Sequence, residues 1–464
     1  MLDLDSALTA LSPLDGRYQP QLIAAAELFS EAALIQYRIK VELRYVLFLS
    51  KHNLIPKIST SEQSALLDWS ENFDLASAKK IKELEKTTKH DVKAVEYFLR
   101  ETLEAQKSPL APFIHLALTS EDTNSMSQAM IWKAATEKVL LPELKAVLKR
   151  ITEMITEYAE LPMLGRTHGQ PAVPTTVGKE LSVFAIRLLT ELQILENLPI
   201  EAKMTGAVGN FNAHQIAFPG QAWQKLSDEF ITSLGLTPHL VTTQILPIEG
   251  YSRIFASLQR INSIFIDLDQ DIWRYISDSY FTQKLEKGQV GSSTMPQKIN
   301  PIDFENSEGN LGLANALFQH FIQKLPISRL QRDLSDSTVK RSWGSAVGYS
   351  VLGYRSLLKG LKKISPNKEK LSQELEEHWE VLAEAMQVVL RTNGDDKGYE
   401  KLQKLTQGKH VTKAGLQEFI TSLSLDEKTK KRLLTLTPAS YIGIANTVTK
   451  QTLHQLQTYL QRSP

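Results

Sequence analysis

Residues 254–275 read IFASLQRINSIFIDLDQDIWRY, and they place Ile254, Leu258, Ile261, Phe265, Leu268, Ile272 and Tyr275 at alternating steps of four and three. That spacing aligns all seven on one stripe of an α-helix. Two more segments keep apolar residues on one helical stripe by steps of three and four. One runs from Leu141 through Leu144, Leu148, Ile151, Ile155 and Tyr158, the other from Val177 through Leu181, Phe184, Leu188, Leu192 and Leu195. Stripes sustained in this way pack at about 20° to one another, as in helical bundles and coiled coils. The expectation is an all-α fold with a long central helix bundle. A single stripe alone would also fit a core-facing helix of an ordinary globular domain, and the rhythm does not count chains.

Further helices are expected over residues 311–324 and 338–364, the second weakened by Gly344, Gly348 and Gly353. Pro162, Gly165, Gly169, Pro171 and Pro174 mark a break before the second long helix, and further breaks fall at residues 326–335 and 365–370. This punctuation divides the chain into three helical domains: 1–113, the bundle at 114–364, and 365–464. Strand signals are sparse, residues 240–245 being the best of them.

The chain has 464 residues, 42% hydrophobic and 23% charged, the balance of a globular protein with a large core. Lys and Arg total 53 against 52 Asp and Glu, which argues against a nucleic-acid coat or a polybasic membrane contact. Anion recognition must therefore be local. With no cysteine, disulfides, thiolate metal sites and a cysteine nucleophile are excluded. The opening MLDLDSALTALSPLDGRY has too short an apolar run for a signal peptide, and no segment has the apolar length of a membrane span. A soluble, cytoplasmic protein is expected, with neither membrane nor nucleic acid as partner.

Three segments carry candidate chemistry. Residues 291–301, GSSTMPQKINP, form a loop in which glycine, hydroxyls and free backbone N–H groups suit an anion, with Lys298 adding charge and Asn300 an amide. LGRTHGQPAVPTT, residues 164–176, holds Thr167 and His168 ahead of a long helix, and a histidine there can titrate near neutrality. LALTSEDTN, residues 116–124, presents Thr119 and Ser120 followed by acids; helix capping alone would explain it. Further on, Arg332, Ser337 and Arg341 gather near an expected helix start at Ser335 or Asp336, an arrangement suited to phosphate. Ion pairs with Asp333 or Asp336 are the plainer account of these arginines. No compact metal-ligand pattern such as HExxH occurs.

In the same order, the segments at Thr119, His168 and Ser292 resemble the three regions in which the fumarase/aspartase superfamily is most alike. SPLDGRY (12–18), TTKHDVKAVEYFL (87–99), GAVGNFNAH (206–214), TTQILP (242–247), SRLQRDLSDSTVKR (328–341) and TPASYIG (437–443) extend the resemblance to the longer bacterial adenylosuccinate lyases, essentially end to end. Phe211, where tyrosine is common, and Gln297, where many have histidine, are departures; MPQK is also the wording of argininosuccinate lyases, which stay open as the alternative.

The resemblance implies an elimination that releases fumarate, with no cofactor and no metal. It makes Ser292 the base, has Lys298 and Asn300 hold the succinyl carboxylates, and makes His168 the general acid, oriented by Glu305. Lys298 and loop N–H groups would lower the Ser292 pKa, each unit worth about 1.4 kcal/mol. It also assigns Arg332, Ser337 and Arg341 to the phosphate, Arg17 and Tyr18 to phosphate and ribose, His90 and Asp91 to the same site, and Gln244 to a succinyl carboxylate. Thr119, Ser120 and Thr167 join them as substrate contacts. The substrate implied is a small nucleotide, and the assembly a homotetramer whose subunits share active sites.

Overall fold

The computed structural model describes residues 7–284, 295, 298–395, 397, 398, 400, 402, 403 and 411–462. The three striped segments form the helices Leu141–Glu157, Val177–Asn197 and Glu249–Ser277. Their stripes are buried as the rhythm requires: Leu144, Leu148, Ile151, Ile155, Leu188, Leu192, Leu258, Ile261, Phe265, Leu268 and Ile272 are all inaccessible. The first of these helices is entered from Ser120–Ala135 through a π-helical turn, Thr136–Leu140.

Four sequence expectations shift. The helix expected over 311–324 is Ile302–Lys324; it follows Pro301 and carries Asp303 and Glu305 in its first turn, where acids suit the helix dipole. Apolar periodicity begins later than these polar start signals, so it marked the end of the helix better than its beginning. The helix expected over 338–364 is two, Ser335–Lys340 and Trp343–Lys363. The glycines of the second are contact points: a Cβ on Gly344 would lie 2.6 Å from the Phe29 Cβ, and one on Gly353 2.5 Å from the Leu311 Cδ2. They admit close packing without ending the helix.

Residues 240–245 form no strand, while the segment read as a break contains the longest strands among the described residues. Pro162–Thr167 and Gln170–Thr176 pair antiparallel, from Pro162↔Thr176 to Thr167↔Gln170, with an irregularity between Leu164 and Arg166. Prolines are tolerated because a two-stranded ribbon leaves one edge of each strand without ladder partners. Two short pairs complete the β structure: Glu201–Ala202 parallel to Thr237–Pro238, and Phe281–Gln283 antiparallel to Ile364–Pro366.

The chain divides into two compact units. The first comprises Met1–Glu143, Leu192–Ser263 and Gly309–Gly353. Its core gathers Ile39, Leu43, Tyr45 and Leu49 of the helix Glu31–Lys51 with Val95, Leu99, Met126, Trp223 and Phe230. Trp132 is enclosed by Phe29, Phe255 and Trp343, with ring centroids 5.3–5.6 Å away. The second unit comprises Leu144–Glu191, Ile264–Glu308 and Tyr354–Pro464, with a core of Leu164, Leu375, Trp379, Leu382, Met386, Leu390, Leu416 and Ile420. Among the described residues no helix is long and apolar enough to cross a membrane.

Candidate active site

In the first unit a chain of charge-assisted contacts begins at the helix Asp91–Ala105. His90 caps it, its Nδ1 accepting from the Lys93 N–H at 3.3 Å. Its Nε2 lies 3.5 Å from the Ser120 hydroxyl. Asp91 meets the Arg38 guanidinium at 2.7 Å. Burial works to raise its pKa, yet Arg38 and the Val92 N–H prevail and hold the carboxyl below its ordinary range. Arg38 Nε donates to Asn124 Oδ1 at 2.9 Å, and Asn124 Nδ2 donates to Glu121 Oε2 at 3.3 Å.

Glu121, buried, stands between two cations. Arg332 Nη1 lies 3.1 Å from its Oε2, and Lys340 Nζ 3.2 Å from its Oε1. Arg332 also donates to Gln244 Oε1 and to the Ser337 hydroxyl, each at 3.1 Å. Asp336 pairs with Lys340 at 2.9 Å. Burial alone would depress the Lys340 pKa, but Glu121 and Asp336 raise it above its ordinary value.

His90, Asp91, Ser120, Arg332, Ser337 and Arg341 line one cavity of about 560 Å³, together with Lys89, Gln128 and Trp343. That volume suits a nucleotide-sized ligand. Arg341 and Lys89 are exposed, and neither has a side-chain partner among the described residues, so they offer charge that no carboxylate already holds. The ion-pair alternative is realised for Arg332 mainly through Glu121, with Asp336 at 4.0 Å. The start of the short helix Ser335–Lys340 is taken by Asp333, whose carboxylate accepts from the Ser335 hydroxyl and from the Ser335 N–H at 2.8 Å. Those hydrogen bonds hold the Asp333 carboxyl far below its ordinary range. Anion affinity in this cavity therefore rests on side chains.

Thr119 and Gln244 stand just behind the lining. Asp122 Oδ2 accepts from the Thr119 N–H at 2.8 Å, so the capping account of this segment is realised while Ser120 faces His90. Arg17 is exposed and Tyr18 half-buried, after a buried Gly16, and neither lines the cavity. Sequence reasoning missed Arg38, Asn124, Glu121 as a charge bridge, and Lys340. Residues 37–49 also carry Lys40, Glu42 and Arg44, so no local pattern singles out Arg38.

The second unit holds the other candidates. His168 and Gly169 are the two turn residues of the β-hairpin, with φ of 52° and 73°. A two-residue turn with both φ values positive matches the twist of the flanking strands, and glycine takes the second position without strain. The His168 ring is left at the exposed tip, with no hydrogen bond among the described residues. Below the tip, Arg166 is clamped to Glu374, which Lys370 also meets at 2.8 Å. Thr167 pairs with Gln170 and, with Gly169, borders a cavity of about 800 Å³ shared with Lys179, Glu180, Asp271 and Tyr275.

Glu305 accepts from Trp273 Nε1 at 3.1 Å and makes no hydrogen bond to His168. Lys298 is exposed, its N–H bonded to the Met295 carbonyl at 3.0 Å, and Asn300 is half-buried beside Ile299, whose carbonyl accepts from Gln283 at 3.0 Å. Ser292 lies outside the described residues.

Residues 16–315 match the family model described as Lyase, and residues 328–442 the one described as Adenylosuccinate lyase C-terminal. Over 446 residues the chain is 50% identical to an adenylosuccinate lyase of Vibrio cholerae, covering 95% of this chain and 98% of the relative. A Haemophilus influenzae adenylosuccinate lyase is 48% identical over 445 residues, with the same coverage. An Escherichia coli adenylosuccinate lyase is 46% identical over 448 residues, covering 96% and 98%. In fold the chain is similar to a 3-carboxy-cis,cis-muconate lactonizing enzyme from Pseudomonas putida, with TM-score 0.77 at 20% identity over 94% of this chain and 97% of that one. It is likewise similar to a fumarate lyase from Mesorhizobium sp. BNC1, with TM-score 0.75 at 15% identity over 93% and 97%.

Proposed function

The chain belongs to the adenylosuccinate lyase family of the fumarase/aspartase superfamily, and on that premise we propose how its residues divide the work of a fumarate-releasing C–N lyase. The substrates are adenylosuccinate, which leaves AMP, and the succinyl-aminoimidazole-carboxamide ribotide, which leaves the amide. The observation that carries this reading is the cavity lined by His90, Asp91, Ser120, Arg332, Ser337 and Arg341, with the Arg341 side chain unpaired among the described residues. Arg341, Arg332 and Ser337 take the phosphate; Arg17 and Tyr18 take phosphate and ribose. Argininosuccinate has no phosphate, and would leave that set without a task.

In the elimination, Ser292 takes the proton from the succinyl carbon next to the one bearing nitrogen. The C–H electrons become the C=C bond of fumarate as the C–N bond breaks. Charge that accumulates on the adjoining carboxylate is stabilised by Lys298 and Asn300, with Gln244 on the second carboxylate. His168 returns a proton to the departing nitrogen, a transfer worth about 10²–10⁴ in rate when well placed. Glu305 orients that ring, while Thr119, Ser120 and Thr167 hold the substrate between base and acid.

The exposed His168 and Lys298, whose side chains have no partner among the described residues, fit a site finished by neighbouring chains, and we place the activity in a homotetramer with shared active sites. The enzyme acts in the cytoplasm without metal or cofactor. Fumarate release from adenylosuccinate and from argininosuccinate, with light scattering for mass, tests these statements. Turnover of argininosuccinate alone, or an active monomer, overturns them.

A further inference from the structure

Beneath the cavity of the first unit lies an ion pair that no step above uses. Lys203 and Asp122 meet at 2.9 Å with both side chains fully inaccessible. Asp122 gathers three backbone N–H groups from two segments: Thr119 at 2.8 Å on one oxygen, and Thr205 at 3.0 Å and Gly206 at 3.2 Å on the other. Lys203 spends its three ammonium hydrogens on Asp122, on the Gly206 carbonyl at 3.0 Å and on the Gln244 carbonyl at 2.6 Å. Its own N–H is held by the Ser125 hydroxyl at 3.1 Å.

Gln244 is thus fixed on both sides. Its N–H donates to the Gln331 carbonyl at 3.2 Å, its Nε2 to Ala207 at 3.1 Å, and its Oε1 accepts from Arg332 at 3.1 Å. An amide nitrogen has two hydrogens, so one remains for a ligand carboxylate. Nearby, Thr205 and Thr242 hydroxyls meet at 2.6 Å, closing the segment that carries Gln244 onto the one that carries Lys203.

A buried ammonium is costly unless every hydrogen is used, and a cheaper core would place a hydrocarbon side chain here. We propose that Lys203 is a positioning residue for the reaction: from its Asp122-neutralised seat it grips the Gln244 carbonyl and so aims the Gln244 amide at the succinyl carboxylate. This rests on the functional reading above. Lys203 acts on binding through Gln244, and an interaction present in both ground and transition states appears in KM more than in kcat.

The test compares wild type, Lys203→Met, Gln244→Ala and the double variant by initial rates of fumarate release from adenylosuccinate. A second background, Asp122→Asn with Lys203→Met, removes both charges and so leaves no unpaired ion should the single variant not fold. The expected result is a KM about tenfold higher in Lys203→Met with kcat within about threefold, and little further rise when Lys203→Met is added to Gln244→Ala. Multiplicative effects in the double variant, or unchanged KM with kcat falling in step with the folded fraction, overturn the proposal and leave Lys203 a structural counter-ion. Inactive wild-type protein removes the functional reading instead, and this inference with it.

Discussion

Replacing Glu121 by glutamine removes one of the two negative charges, with that of Asp336, that Arg332 and Lys340 share, while keeping the shape of the side chain. Its oxygens lie 3.1 and 3.2 Å from those cations, and the three side chains are only 3%, 14% and 10% exposed. At an effective dielectric constant of about 20 each contact is worth about 5 kcal/mol of attraction, most of it offset by the cost of taking the charges out of water. The variant keeps the desolvation of both cations and loses the attraction. Asp336 still stands 2.9 Å from Lys340 and 4.0 Å from Arg332, so the loss falls at the lower end of the ~3–5 kcal/mol seen when one partner of a buried pair is removed. We expect about 3 kcal/mol, read as a lower urea midpoint at unchanged slope and fixed protein concentration. A loss below about 1 kcal/mol, the scale of a surface pair, refutes the view that this carboxylate neutralises the floor of the cavity.

His115 pairs with the buried Glu42 at 2.7 Å; burial lowers its pKa but Glu42 outweighs it, leaving the folded value above 6.5. Its stabilisation is therefore full below pH 6.5 and is lost as pH rises through the folded value, so urea midpoints of wild type and His115→Gln should differ most at acid pH and converge in alkali. A gap that widens with pH contradicts this sign. At Gly209, φ is +86° and an added Cβ would lie 2.1 Å from the Thr242 carbonyl oxygen, so Gly209→Ala combines about 1–2 kcal/mol of left-handed strain with a backbone clash. Its thermal midpoint should fall clearly, and an unchanged midpoint shows that the loop relaxes freely.

The three helical stripes were legible because Leu148, Leu188 and Ile261 repeat at a spacing only a helix satisfies, and packing then buries them. The hairpin was not: Pro171 and Pro174 read as breakers, and only the lack of a third strand makes them harmless there. In the candidate site, motif wording pointed to His90, Ser120, Arg332 and Arg341, which line one cavity. The contacts that hold that cavity join Arg38 to Asp91 and Asn124, and Glu121 to Arg332 and Lys340. Such pairs span up to 219 positions and carry no local pattern, so tertiary structure alone discloses them. Asp333 at the start of the Ser335 helix is the opposite case, since an acid two residues before a helical serine was visible and was weighed as a partner for arginine only.

The central claim is that one side chain at the tip of the hairpin delivers the proton to the leaving nitrogen. Fumarate release from adenylosuccinate by a folded His168→Ala variant, beside wild type at saturating substrate, tests it most directly. The account predicts turnover lower by about 10²–10⁴, while a rate within a few-fold of wild type contradicts it.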